Sequence, residues 1–133
     1  MQSYKELSVW QQSMNLVSEV YRITRPFPRE EIYGLTSQLR RCAVSVPSNI
    51  AEGQGRSTRG EFLQFLCHAR GSLFEMETQL IIAAELGYVS DNDQRVVINQ
   101  LTRVAKLLNA LITSLRLSPS KQSTIHDLRS TRD

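Results

Sequence analysis

The sequence has few of the residues from which catalytic and metal centres are built. Its 133 residues include two histidines and two cysteines, and aromatic residues make up only 7%. His68 falls on a predicted helix and His126 lies near the end of the sequence, so no Ser/His/Asp or Cys/His arrangement can be argued. Cys42, Cys67 and His68 fall short of the four closely spaced ligands of structural zinc. We predict no catalytic residue, no metal site and no cofactor.

Long apolar runs are absent as well. No run approaches the roughly 20 residues that a membrane-spanning helix needs. The first residues, MQSYKEL, lack the apolar segment of a signal peptide. Both cysteines fall among apolar neighbours on predicted helices, which is typical of small buried side chains and not of a disulfide framework. These features predict a cytoplasmic protein with no membrane association.

The composition is that of one ordinary globular domain. Apolar residues make up 41% and charged residues 22%, which excludes wholesale disorder. The net charge of +3 is modest but unevenly distributed. Five arginines lie between residues 40 and 70 against two acids, whereas residues 75–95 carry five acids and one arginine. A closed ring of identical protomers would repeat the basic stretch and strengthen its field.

Apolar residues recur at three- and four-residue spacing in four segments, which predicts four helices. Helix one covers residues 4–24 and ends at Pro26 and Pro28. Because it is apolar on two sides, it is predicted to be buried on both, either among three neighbouring helices or, as we prefer, partly at a protomer interface. Its predicted core face is Leu7, Trp10, Met14, Val17 and Tyr21, and its second apolar face is Val9, Leu16, Val20 and Ile23.

Helix two begins at about residue 29 or 34, and its periodicity continues through Pro47, which predicts a kink instead of a stop. Gly53 is predicted to close the helix with a positive φ. The predicted core residues are Leu35, Leu39, Cys42, Ala43, Val46 and Ile50. The outer face is polar, and it is either a solvated surface or a close-packed interface; it carries Gln38, Arg41, Ser45, Ser48 and Glu52.

Helices three and four carry clear start and stop signals. Thr58 and Glu61 form a predicted capping box, Gly87 a predicted stop, and Ser90 a predicted cap for helix four. Gly71, in mid-helix, costs about 1 kcal/mol relative to alanine. It faces away from the core, so it marks either close approach by another protomer or a tolerated exposed glycine. The predicted core includes Phe62, Leu66, Ala69, Leu73, Met76, Leu80, Ala84, Val97, Leu101, Val104, Leu108, Leu111 and Leu115.

These elements predict an all-α protein, an antiparallel up-down-up-down four-helix bundle with helix two kinked at Pro47. The bundle domain covers residues 1–117. Residues 118–133 are polar and predict a mobile tail, whose basic residues either contact a polyanion or only aid solubility.

Three segments resemble the four-helix-bundle family of proteins encoded within intervening sequences of bacterial 23S ribosomal RNA genes, which is related to the accessory protein of diversity-generating retroelements. They are residues 7–21, 27–56 and 62–80, and the most specific piece is SVPSNIAEGQGR. The resemblance implies an antiparallel four-helix protomer, a ring-like homo-oligomer that is a pentamer, a nucleic-acid-associated role and no enzymatic activity.

The chemistry that remains is recognition. Arginine forks match phosphate oxygens bidentately, which predicts RNA or DNA phosphate contacts by Arg40, Arg41, Arg56, Arg59 and Arg70. Salt bridges within a ring are the alternative role of these arginines. The predicted kink and oligomer interface comprise Ser45, Pro47, Ser48, Asn49, Glu52, Gly53 and Gly71. The alternative function is a scaffold ring that binds a protein partner and no nucleic acid.

Overall fold

The computed structural model describes residues 3–117, and every element in that range is a helix. The predicted tail, residues 118–133, lies outside the described residues. Two short 3-10 helices, Tyr4–Glu6 and Arg29–Glu31, precede the first and second long helices. The four long helices are α1 (Ser8–Thr24), α2 (Leu35–Gln54), α3 (Arg59–Glu85) and α4 (Asp91–Leu117). The predicted all-α bundle of four helices is confirmed.

Each long helix packs on two others. The contacting pairs are α1 with α2, α2 with α3, α3 with α4, and α4 with α1. No Cα atom of α2 lies within 8 Å of one in α4, so these two helices are diagonal in the bundle. Residues of α2 pair with α3 in descending order, Gln38 with Gln79 and Ser45 with Ser72. The up-down order of all four helices and the kink at Pro47 stay predictions.

Helix α1 presents the opposite face to the core from the one predicted. Met14 and Tyr21, assigned to the core, are 42% and 38% exposed. The buried side contains Ser13, whose Oγ donates a hydrogen bond of 2.8 Å to the Trp10 carbonyl and is thereby satisfied. Both faces are apolar, so the spacing alone could not choose between them. The buried residues are Val9, Ser13, Leu16, Val20, Ile23 and Thr24.

Gly53 lies inside α2 and does not close it. The helix continues to Gln54, and among the described residues only Gly87 is a glycine with positive φ. A Cβ added at Gly53 would lie 2.7 Å from Cβ of Phe65 and 3.0 Å from Cδ1 of Phe62. The predicted role as a positive-φ cap is therefore wrong. A glycine is needed because α3 passes too close for any side chain.

The start and stop signals of α3 and α4 are confirmed. Thr58 Oγ1 accepts a hydrogen bond of 3.1 Å from the Glu61 backbone, and Ser90 Oγ accepts one of 3.1 Å from Asp93. Gly87 has a φ of +81° and follows α3. These polar caps satisfy backbone donors that the first turn of a helix leaves without partners.

The core faces of α3 and α4 agree with the predicted ones apart from two small shifts. Ala83 is fully buried where Ala84 was predicted, and Ile112 is buried where Leu111 was predicted. The largest fully buried side chains come from all four long helices and form one cluster: Leu16, Val20, Leu39, Val46, Ile50, Leu66, Leu73, Met76, Leu80, Leu108 and Ile112.

Two glycines in helices allow a matched test of packing. Gly53→Ala should destabilise the protein by about 1–3 kcal/mol, because the new methyl group overpacks the α2–α3 contact. A Cβ at Gly71 meets nothing within 4 Å, so Gly71→Ala should stabilise by up to about 1 kcal/mol through helix propensity. Urea denaturation at matched protein concentration measures both changes. Equal effects of the two substitutions would contradict the close approach at Gly53.

Candidate functional site

A surface depression, which we name the α2–α3 groove, has a volume of about 780 Å³. It runs between the outer sides of α2 and α3 and reaches Tyr21 at the end of α1. Its lining mixes two arginines, one carboxylate, two glutamines and two serines: Tyr21, Gln38, Arg40, Arg41, Cys42, Val44, Ser45, Ser72, Glu75 and Gln79. Three residues predicted for phosphate binding or for the interface, Arg40, Arg41 and Ser45, line this groove.

Arg40 is held in a fixed orientation at the edge of this groove. Its Nε donates a hydrogen bond of 2.9 Å to Thr24 Oγ1, and its guanidinium carbon lies 4.5 Å from the centre of the Tyr21 ring. Within residues 3–117, its two terminal nitrogens have no hydrogen-bond partner. The next residue, Arg41, is exposed and forms no ion pair with any described residue. Arg40 and Arg41 are thus the two predicted phosphate ligands that share one surface.

The other predicted arginines point elsewhere. Arg56 pairs with Glu52 one turn earlier, and its guanidinium carbon lies 4.8 Å from the centre of the Phe65 ring. Arg70 faces α4, where its Nη1 donates a hydrogen bond of 3.1 Å to Asn109 Oδ1. The five arginines, although close in sequence, do not form a single patch.

Arg59 lies inside the bundle. Its side chain is buried, and Nη1 donates a hydrogen bond of 3.4 Å to the Leu115 carbonyl in the last turn of α4. Carbonyls in the last turn of a helix lack a partner within the helix, and a cation there is favoured by the helix dipole. The structure therefore gives Arg59 a role in joining the start of α3 to the end of α4.

Most of the predicted interface residues on α2 serve packing within the protomer. Ser45 Oγ and Ser72 Oγ are 2.8 Å apart, which links α2 to α3 by a hydrogen bond. Asn49 Nδ2 donates to the Ser45 carbonyl and to its Oγ, at 2.8 and 2.9 Å. Pro47 and Gly53 are buried. The remaining three predicted residues, Ser48, Glu52 and Gly71, are exposed.

A second depression, the α1–α2 groove, is apolar. Its volume is about 310 Å³, and Val44, which is 42% exposed, lies between it and the α2–α3 groove. Sequence reasoning missed Val44, although it follows Arg41 and precedes Ser48 at helical spacing on the predicted polar face. The groove is lined by Tyr4, Trp10, Met14, Val17, Val44, Pro47, Ser48 and Ala51. It is formed largely by the face of α1 that was assigned to the core.

A further apolar surface lies on α3. Phe74 is 60% exposed, and Ile81 and Ile82 are also exposed. They follow Gly71 at spacings that keep them on the outer half of the helix. The bundle thus exposes apolar side chains on two separate surfaces, one at the α1–α2 groove and one on α3.

Cys42 lines the α2–α3 groove as a neutral thiol. Its Sγ donates a hydrogen bond to Glu75 Oε1 at 3.6 Å. Burial raises the pKa of the Cys42 thiol, and the negative charge of Glu75 acts in the same direction. Since thiolate is the nucleophilic form, this environment does not activate Cys42.

Among residues 3–117, no cluster of three or more histidine, cysteine or acidic side chains has the geometry to hold a metal ion. None of the helices in the same part of the chain combines the length and apolar character that crossing a membrane requires.

The position of Arg59 predicts a difference from Arg56. Arg59→Met should destabilise the protein by about 1–3 kcal/mol, because the Leu115 carbonyl loses a buried charged donor. Arg56→Met removes an exposed pair and should change stability by no more than about 0.5 kcal/mol. Urea denaturation of both variants at equal protein concentration tests this. A loss of stability no larger at position 59 than at position 56 would show that the buried contact contributes nothing.

Comparisons with known proteins place this fold. The family described as 23S rRNA-intervening sequence protein matches residues 5–110. The crystal structure of a protein of unknown function from the S23 ribosomal protein family of Bacteroides thetaiotaomicron superposes with a TM-score of 0.73. The two chains are 22% identical, over 79% of this chain and 95% of that one, which shows a common fold. No curated protein matches.

The resemblance seen in the sequence is thereby confirmed for the ribosomal RNA family, whereas the relation to the retroelement accessory protein stays a prediction. The family match covers α1, α2 and α3 completely and most of α4. The chain therefore belongs to the 23S rRNA-intervening sequence protein family.

Proposed function

We propose that this protein is a non-catalytic homo-oligomer, a pentameric ring, that binds the phosphates of RNA or DNA through a basic surface. The observation that carries the proposal is the arginine pair of the α2–α3 groove. Arg40 is oriented by Tyr21 and Thr24, and Arg41 is exposed beside it. A guanidinium that is already oriented loses less conformational freedom when it binds a phosphate.

The charge of one groove is small. Glu75 lines it with the two arginines, so a single protomer would bind a polyanion only weakly. A ring repeats the arginine pair in every protomer along one continuous ligand, and multivalent contact raises affinity without any new interaction. The two parts of the proposal, assembly and phosphate binding, therefore depend on each other.

Support for assembly comes from the two exposed apolar surfaces. The α1–α2 groove and the surface around Phe74 and Ile81 lie on different helices. Association of two different surfaces is heterologous, and such contacts close into a ring when the rotation between protomers permits. Burying these side chains against a second copy would remove apolar area that the protomer leaves in water.

Val44 gives the sharpest test of assembly because it lies between the two grooves. Val44→Glu places a charge on the apolar surface, and burying that charge at an interface without a partner is costly. We expect the light-scattering mass to fall from that of a multimer toward that of a protomer, with helicity by circular dichroism retained.

A matched control places the same charge elsewhere. Asn99 is exposed on α4, the helix diagonal to α2, so Asn99→Glu should leave the mass of the assembly unchanged. A wild-type protein that is monomeric, or a Val44→Glu variant with the full assembly mass, would remove the proposed interface.

Phosphate binding is tested by salt dependence. We expect wild-type protein to bind mixed-sequence RNA and DNA with an affinity that falls linearly on a plot of log K against log salt, because bound phosphates release counterions. Fluorescence anisotropy with labelled nucleic acids measures this. Affinity that is independent of salt, or no binding at low salt, would exclude the proposal.

A scaffold that binds a protein partner is the second candidate. Three of the five predicted phosphate ligands already contact residues of this chain: Arg56, Arg59 and Arg70 bind Glu52, Leu115 and Asn109. Fewer arginines are then left for phosphate, which favours the scaffold. A multimer that is indifferent to both RNA and DNA would support this candidate.

A further inference from the structure

The outer side of α4 carries a row of exposed polar residues that the proposed function does not use. Apart from the adjacent Thr102 and Arg103, they recur at spacings of three and four, which aligns them along one side of the helix. We name this row the α4 face: Arg95, Asn99, Thr102, Arg103, Lys106, Asn109 and Thr113, all of them exposed. It contains cations, amides and hydroxyls and no large apolar residue.

The cations of the α4 face have no acidic partner among the described residues. Neither Arg103 nor Lys106 forms an ion pair within residues 3–117. Arg95 Nη2 donates a hydrogen bond of 3.0 Å to Asn92 Oδ1, a neutral group. From residue 94 to residue 117 the helix contains no aspartate or glutamate. The two carboxylates of α4 lie in its first turn: Asp93 binds Arg22, and Asp91 is exposed one turn before Arg95. Arg103 and Lys106 therefore have no carboxylate of their own helix within two turns.

Neighbouring helices add one cation and leave the others unpaired. Arg70 of α3 reaches the face through its hydrogen bond with Asn109. On α3, Glu77 is half-buried and Glu85 is exposed, and neither forms an ion pair with α4 in the described part of the chain. Towards α1, Glu19 of α1 and Asp93 of α4 both bind Arg22 of α1, so neither carboxylate pairs with a cation of the α4 face.

We propose that the α4 face is a binding surface for the backbone of a nucleic-acid duplex, an inference that rests on the proposed function for the class of ligand. Cations together with amides and hydroxyls are the groups that contact phosphate and sugar. Residues 91–117 contain no aromatic residue, so the face has no platform on which unpaired bases would stack. The row favours a duplex over a single strand.

The dimensions of the face fit several phosphates. At 1.5 Å per residue, Arg95 and Lys106 are separated by about 16 Å along the helix axis. In each strand of a duplex, successive phosphates are about 3.4 Å apart along the duplex axis. The row is therefore long enough to reach more than one phosphate at a time.

The diagonal position of α2 and α4 makes the inference separable from the arginine pair of the α2–α3 groove. Since no Cα atom of α4 lies within 8 Å of one in α2, substitutions on the exposed side of α4 should leave Arg40 and Arg41 in place. A protomer would then offer phosphate contacts on two sides, of which the α4 side is the one without a carboxylate in its row.

The test compares variants of the full-length chain. Arg103→Gln combined with Lys106→Gln removes two charges from the α4 face, and Arg25→Gln combined with Arg29→Gln removes two exposed charges that lie outside it. The probes are a mixed-sequence RNA duplex of about 20 base pairs, the DNA duplex of the same sequence and one of its single strands, each across a salt series. The RNA and DNA arms show which duplex is preferred.

We expect the α4 variant to bind duplex more weakly and to lower the slope of log K against log salt by about two, one for each lost phosphate contact. The Arg25/Arg29 variant should keep the wild-type slope. Arg103→Lys combined with Lys106→Arg conserves both charges and should keep it as well. Circular dichroism and light-scattering mass should be the same for all of these proteins.

Each other outcome has a definite meaning. Duplex binding that is lost only in an Arg40→Gln/Arg41→Gln variant, and is unchanged in the α4 variant, overturns the inference and leaves the proposed function standing. Stronger binding of the single strand than of the duplex also overturns it. So does polyglutamate that displaces the labelled duplex as well as unlabelled duplex does. Wild-type protein that binds no probe at low salt removes both the inference and the proposed function.

Discussion

The close contact between α2 and α3 is the constraint on which the rest of the bundle depends. Gly53 lets the two helices approach until Phe62 and Phe65 occupy the space where a side chain would be. Further along the same contact, the hydroxyls of Ser45 and Ser72 share a hydrogen bond. With α2 fixed against α3 in this way, α1 and α4 complete the core, and the outer sides of α2 and α4 lie on opposite sides of the molecule.

The sequence was sufficient for features that depend on neighbours in the chain. A helix cap or a positive φ depends only on the adjacent turn, so the roles of Thr58, Gly87 and Ser90 could be predicted from the sequence. The core faces of α3 and α4 were also predictable to within one residue, since each helix has a single apolar stripe. Four helices in one domain followed from these signals and from the periodicity.

Features that depend on another helix could not be predicted in the same way. The two apolar faces of α1 are equivalent in spacing, and only packing decides that Val20 is buried and Tyr21 is not. Gly53 has the sequence context of a helix cap, but a glycine is required there because Phe62 and Phe65 of α3 leave no room for a side chain. The arginines of residues 40–70 belong to two helices, and packing directs them to different surfaces, whereas Arg95, Arg103 and Lys106 belong to one helix, whose spacing alone places them in one row.

The diagonal relation of α2 and α4 also separates the surfaces by character. The apolar α1–α2 groove borders α2, and the row of cations that includes Arg103 and Lys106 lies on α4, the helix diagonal to α2. In the proposed assembly, a second copy that covered the α1–α2 groove would leave the α4 cations in water. Substitutions on the exposed sides of α2 and α4 would therefore act on separate surfaces, one with an apolar groove and one with a row of cations.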